Sequence, residues 1–272
     1  MAEVVVDGLR TAYAEAGDGP ALVLLHGGLD DSRSWRLQLE GLARRFRVLA
    51  WDAPGCGRSD DPPPTWRMAD FADHAAGWIQ AIGVDRAHVL GLSWGSTIAL
   101  ELYRRHPSVP ASLVLASAYA GWAGSLPPQE VTARLDGALA GADLPPEDVA
   151  EAWRATLGAG AAGIVGELVR MWTENAGRHH PAGYEAAVRA MAEADLRPVL
   201  GEIAVPTLVV HGDLDPRAPA GVAGALHAAI PGAELAVIAG AGHMCNVEAA
   251  GAFNDVVHAF LARVTSRPGY TG

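Results

Sequence analysis

Short apolar runs recur along the chain, separated by amphipathic stretches. Leu22-Val23-Leu24-Leu25 and Leu208-Val209-Val210 contain no polar residue to alternate with, as expected for strands buried on both faces of a parallel sheet. On this basis Glu3–Val6, Arg10–Ala16, Ala21–His26, Arg47–Trp51, Ala87–Leu92, Ser112–Ala116, Thr207–His211 and Glu234–Ile238 read as strands. Helices are predicted over Met68–Ile82, Trp94–His106, Pro219–Ala229 and Ala249–Val264, with Gly83 and the His106-Pro107 step as stops. Strand and helix in alternation predict an α/β fold around a mainly parallel sheet.

One region breaks the alternation. From Tyr119 to Arg197 there is helical periodicity and no convincing strand. Ile164, Leu168, Met171 and Trp172 share one helix face, and Val149, Trp153 and Leu157 repeat the pattern. The expectation is a helical cap over 119–197, inserted between the sixth and seventh strands of a core made of 1–118 and 198–272. Most of these apolar faces should pack the cap onto the core. Trp153 and Trp172 are the candidates for lining a substrate pocket.

Composition narrows the function. With 272 residues, half of them hydrophobic, the chain can bury one large core with an insertion. A net charge of −11 disfavours nucleic acid, whose phosphates are bound through Lys and Arg. Every one of the 20 basic residues is Arg, so Schiff-base chemistry at lysine is excluded. No run of about 18 apolar residues suggests a membrane span, and the first residues lack a basic patch followed by an apolar run. A cytoplasmic protein acting on a small molecule is expected. Cys56 and Cys245 read as free thiols. No His/Cys ligand spacing and no phosphate-binding glycine loop is present, so neither a metal nor another cofactor is expected.

The chemistry centres on Gly91-Leu92-Ser93-Trp94-Gly95, a G-x-S-x-G. A tight turn with an idle serine would also explain the glycines. However, the motif follows a β run and opens a helix, the context that lifts a serine hydroxyl clear of the sheet. Such a hydroxyl needs a base. Of ten histidines, His243 lies in a glycine-rich loop after the last strand, at the edge where reacting groups meet. His88 and His211 fall in strands; His106, His227 and His258 look helical; His179 and His180 lie in the insertion. The base needs an orienting carboxylate, and both Asp213 and Asp215 in Gly212-Asp213-Leu214-Asp215 are open on position alone. The backbone N–H groups of Trp94 and of Gly28, in His26-Gly27-Gly28, are the candidate donors to an oxyanion. His26 then reads as a residue that fixes its turn.

Together with Asp52-Ala53-Pro54-Gly55-Cys56-Gly57-Arg58-Ser59 and Gly242-His243, these segments resemble the α/β-hydrolase superfamily over nearly the whole chain. The resemblance implies an eight-stranded, mostly parallel sheet flanked by helices, with a cap after the sixth strand. It selects Asp215 over Asp213, so that Ser93, Asp215 and His243 form a triad in the fold's chain order. The leading expectation is hydrolysis of a carboxylic ester, lactone or thioester through an acyl-serine. Gly91–Pro107 and Gly242–Phe253 resemble parts of enol-lactone hydrolases, and they resemble parts of prolyl iminopeptidases as well. These usually carry H-G-G-P-G, where this chain has Leu29-Asp30, and hold a free amine with cap acids, for which Glu130, Glu147, Glu151, Glu167, Glu174, Glu185 and Glu193 are available. A cofactor-free cyclase or lyase, or a receptor on the same fold, is the third alternative.

Overall fold

The computed structural model describes residues 1–142, 144–176 and 181–266; His179 and His180 lie outside them. Eight strands form one sheet: β1 (Ala2–Val6), β2 (Leu9–Ala16), β3 (Ala21–Leu25), β4 (Arg47–Trp51), β5 (Ala87–Leu92), β6 (Pro110–Ala116), β7 (Thr207–Gly212) and β8 (Glu234–Ile238). Their spatial order is β1-β2-β4-β3-β5-β6-β7-β8. The β1–β2 and β2–β4 pairs are antiparallel, and every later pair is parallel. Asp7-Gly8, both at positive φ, close the β1–β2 hairpin in the two-residue turn that suits the twist of such strands.

Eleven helices occur among the described residues. They are α1 (Arg36–Leu42), α2 (Met68–Ala81), α3 (Trp94–Arg105), α4 (Pro128–Ala142), α5 (Pro146–Arg154), α6 (Val165–Asn175), α7 (Pro181–Glu193), α8 (Arg197–Leu200), α9 (Ala220–Ala229), α10 (Cys245–Glu248) and α11 (Ala250–Thr265). No helix among these residues is long and apolar enough to cross a membrane. All eight predicted strands are present. β6 begins two residues early, at Pro110, because a proline is tolerated at the first position of a strand. The unanticipated helices α1 and α10 are short.

Alternate side chains of the central strands point to opposite faces. Val23, Leu25, Val89, Leu113 and Val209 share one apolar layer with Phe71, Trp78, Ile98 and Leu226 of α2, α3 and α9. Leu22, Leu24, Leu90, Val114 and Val210 share the other with Leu42 of α1 and Phe253, Val257 and Leu261 of α11. Leu168 and Trp172 of α6 join that second layer. Two-sided burial therefore accounts for the unbroken apolar runs. Both cysteines are buried and free.

Helices α4 to α8 all lie between β6 and β7 in the chain. The segment leading into α4 is stitched to the end of α7 and the residues just after it. Leu196 N–H donates to the Ala120 carbonyl at 2.9 Å, and Trp122 N–H to that of Met191 at 2.9 Å.

Candidate active site

Ser93 stands between β5 and α3 with φ 52° and ψ −112°, a backbone conformation that L-residues avoid. Its N–H donates to the Ala116 carbonyl at 2.8 Å, and its own carbonyl accepts from Ser96 N–H at 2.9 Å. The flanking glycines are required by contact. A Cβ on Gly95 would overlap the Leu25 carbonyl oxygen, and one on Gly91 the Gly95 carbonyl oxygen. The helix can therefore start against β3 and β5 only if both positions are bare.

The loop after β8 brings His243 to this serine. Nε2 of His243 lies 2.9 Å from Ser93 Oγ, while Nδ1 lies 3.0 and 2.9 Å from the two Asp215 oxygens. An ionised carboxylate only accepts, so the ring proton sits on Nδ1 and the bare Nε2 accepts from the serine hydroxyl. Burial lowers the His243 pKa below its ordinary value, against the opposing pull of Asp215. The imidazole is therefore neutral and able to take a proton near pH 7. Burial alone would raise the Asp215 pKa. The bond from His243 and the N–H groups of Ala218 and Arg217 outweigh it and hold the carboxyl below its ordinary range. Asp213 instead accepts from Gly240 N–H at 2.7 Å. Ser93, Asp215 and His243 thus converge, and Asp213 stands apart.

Gly28 and Trp94 line the same cavity as Ser93. Neither of their amides donates to a protein acceptor among the described residues. Trp94 is the first residue of α3, where an N–H has no partner within the helix. His26 holds the loop rather than the serine. Its Nδ1 meets the Gly27 carbonyl at 2.8 Å and its Nε2 accepts from Ala53 N–H at 3.0 Å.

The cavity has a volume of about 350 Å³ and is roofed by α4, α5 and α7, with Trp153 in its wall. Trp172 does not line it, contrary to the expectation. Its indole is fully buried behind Trp153, with ring centroids 5.9 Å apart, because its Nε1–H finds a buried acceptor in Asp30 Oδ1 at 2.7 Å. Burial raises the Asp30 pKa to about 7. Among the described residues, no cluster of His, Cys, Asp and Glu could hold a metal ion.

A model of the alpha/beta hydrolase family matches residues 22–256. The chain belongs to the alpha/beta hydrolase family. It is 30% identical over 257 residues to (E)-2-((N-methylformamido)methylene)succinate hydrolase of Acinetobacter baylyi, covering 93% of this chain and 94% of that one. The enol-lactonase from Burkholderia xenovorans LB400 superposes with a TM-score of 0.85 at 26% identity, over 96% of this chain and all of that one. A malate-bound thermophilic esterase from Thermogutta terrifontis gives the same TM-score at 26% identity, over 97% and 99% of the two chains.

Two residues that hold the histidine loop of this hydrolase escaped the sequence analysis. The Glu248 carboxylate accepts from Gly242 N–H (3.0 Å) and Met244 N–H (3.1 Å), on either side of His243, and from Gly158 N–H (2.8 Å) beyond the sheet. Ser117, at φ 44° just past β6, donates its hydroxyl to the His243 carbonyl at 2.7 Å. The backbone of the histidine loop is thus held at three successive residues. The advance sign for Glu248 was an acid shortly after a loop histidine, just before the predicted helix Ala249–Val264.

Proposed function

We propose that the protein is a serine hydrolase that cleaves a carboxylic ester, lactone or thioester of a small molecule. The observation that carries this reading is the continuous line from Asp215 through His243 to Ser93 at 2.9–3.0 Å. Ser93 Oγ attacks the carbonyl carbon while His243 Nε2 takes its proton. The Gly28 and Trp94 amides receive the oxyanion, each such donor contributing about 2.7–4 kcal/mol to the barrier reduction. Collapse breaks the bond to the leaving group, which departs with the proton from Nε2. Water then attacks the acyl-serine, its proton passing to Nε2, and the acid leaves as Ser93 regains its hydrogen. Residues 119–197 act as a cap over a core of 1–118 and 198–272.

The cavity wall speaks against a prolyl iminopeptidase. Six of the seven glutamates available to hold an amine pair with arginines instead: Glu130 with Arg134, Glu151 with Arg154, Glu167 with Arg36, Glu174 with Arg33, Glu185 with Arg189 and Glu193 with Arg67. Among the described residues, none of the seven lines the cavity, and the charged residues that do are Arg134 and Arg217. Leu29, where iminopeptidases carry proline, has φ 66°, which a proline ring cannot adopt. The relatives support the ester-type reading by name, since one is an enol-lactonase and another an esterase.

A fluorophosphonate label and a panel of short 4-nitrophenyl esters, lactones and thioesters test the proposal. Labelling at Ser93 with turnover of at least one class is expected. Ser93→Ala should lower kcat by roughly 10⁶-fold, on the subtilisin precedent. An unlabelled, inactive wild-type protein would refute it.

A further inference from the structure

Among the described residues, charge in the cavity wall is unbalanced. The Arg134 guanidinium is paired with Glu130 at 2.6 Å and also donates to the Tyr119 hydroxyl at 3.1 Å and the Arg217 carbonyl at 2.9 Å. The Arg217 guanidinium is not. It lines the cavity, yet among the described residues it forms no ion pair and no hydrogen bond. Its contact is with Trp153, whose ring centroid lies 4.4 Å from Cζ. Trp153 in turn packs against Trp172, which is anchored to Asp30. A guanidinium seated over an indole face is restrained from that side, and its N–H groups without a protein acceptor can bind a carboxylate.

A partly buried cation without a counter-charge is costly to keep. Burial pulls the Arg217 guanidinium below its ordinary pKa, and the positive Arg134 alongside adds to that. Asp215 lies two residues away, but its carboxylate is taken by His243 and by the Arg217 and Ala218 amides. The exterior of a chain with net charge −11 repels anions, so a positive interior edge is a local, built feature. Lining the same cavity as Ser93 ties it to the ligand of that cavity.

We propose that Arg217 is a carboxylate-binding residue, and that the substrate is a small ester, lactone or thioester bearing a free carboxylate. The proposal rests on the serine-hydrolase reading only for the reacting bond; recognition of the carboxylate is separable from it. Trp153 holds the guanidinium from one side, and the ligand's carboxylate supplies the counter-ion that the described residues do not.

The experiment has a kinetic and a binding arm. Wild type, Arg217→Gln and Arg217→Lys are compared on three esters: 4-nitrophenyl hydrogen glutarate, with the carboxylate on the acyl side; 4-carboxyphenyl pentanoate, with it on the leaving side; and neutral 4-nitrophenyl pentanoate. Wild type should favour one of the two anionic esters over the neutral one in kcat/KM. Arg217→Gln should lower that preference at least tenfold, chiefly through KM, and Arg217→Lys should restore part of it. A merely structural role for Arg217 would lower all three esters together and leave the preference unchanged, which overturns the proposal. In the binding arm the same esters are titrated into Ser93→Ala by calorimetry, with and without Arg217→Gln. Tighter binding of an anionic ester that disappears with Arg217→Gln upholds the proposal even if the wild type hydrolyses nothing, the result that sinks the serine chemistry alone. Equal affinity for charged and neutral esters overturns it, whatever the serine does.

Discussion

At the scale of single residues, the site is a set of short bonds whose partners hold each other's protonation. His243 stays neutral because it is buried, and stays oriented because Asp215 accepts from Nδ1. Glu248 acts one step behind, by fixing the amides on either side of the histidine. Glu248→Gln keeps the shape but offers one acceptor oxygen where two are used. We expect kcat to fall by roughly 10–100-fold with KM little changed, the size of effect that a displaced base produces. Steady-state kinetics together with fluorophosphonate labelling rates will measure it. A variant with wild-type kcat would show that the loop needs no such support. Glu248 touches no reacting atom and is a positioning residue.

At the scale of elements, strand, turn and helix meet with no spare room. Gly95→Ala places a methyl group against the Leu25 carbonyl oxygen, in fixed backbone. Destabilisation of about 3 kcal/mol or more is expected, above the usual range for overpacking a core because backbone cannot step aside. Denaturant midpoints of the purified variant, or its failure to accumulate as folded protein, will report it. This packing also explains what could be read from the sequence. The elbow was legible because its chemistry and its sterics occupy five consecutive residues. The central strands were legible because burial on both faces leaves an unbroken apolar signature. The helix α1 was not, since Arg36-Leu37-Gln38-Leu39-Glu40 alternates with the period of a strand and owes its form to packing against α11. Ser117, Arg217 and Glu248 were equally hidden. Each is an ordinary polar residue until β6, the acid loop and the histidine loop come together in space. Trp172 was misjudged because helical periodicity identifies an inward face without saying whether a cavity or a buried carboxyl lies behind it.

Over the whole molecule, several histidines are buried in neutral form. Burial lowers His74 and His88 to about 4 each, and lowers His26 and His243 as well. In the unfolded chain these groups protonate near pH 6.5, whereas in the folded one they resist protonation until lower pH. Their contribution is therefore complete above about pH 6.5 and is lost as the pH falls toward 4. For His74 and His88 it amounts to roughly 3 kcal/mol each at full loss. Asp30, raised to about 7, works the other way in nearly the same window and offsets one of them. The net expectation is a lower unfolding free energy at pH 5 than at pH 7, measured by denaturant titration at constant ionic strength. Equal values at the two pH values would contradict the neutral, buried state assigned to these rings.

The stitched base beneath helices α4 to α7 has a consequence for how such chains can diverge. Ala120 and Leu196 are hydrogen-bonded neighbours, so the sheet meets the long excursion between them as a loop whose ends are already joined. The entropy of closing a loop grows only with the logarithm of its length, about 0.6 kcal/mol for each doubling. Residues added to the excursion away from α6, whose Leu168 and Trp172 pack on the sheet, therefore reshape the chamber over Ser93 at little entropic cost to the strands that carry the serine, the aspartate and the histidine.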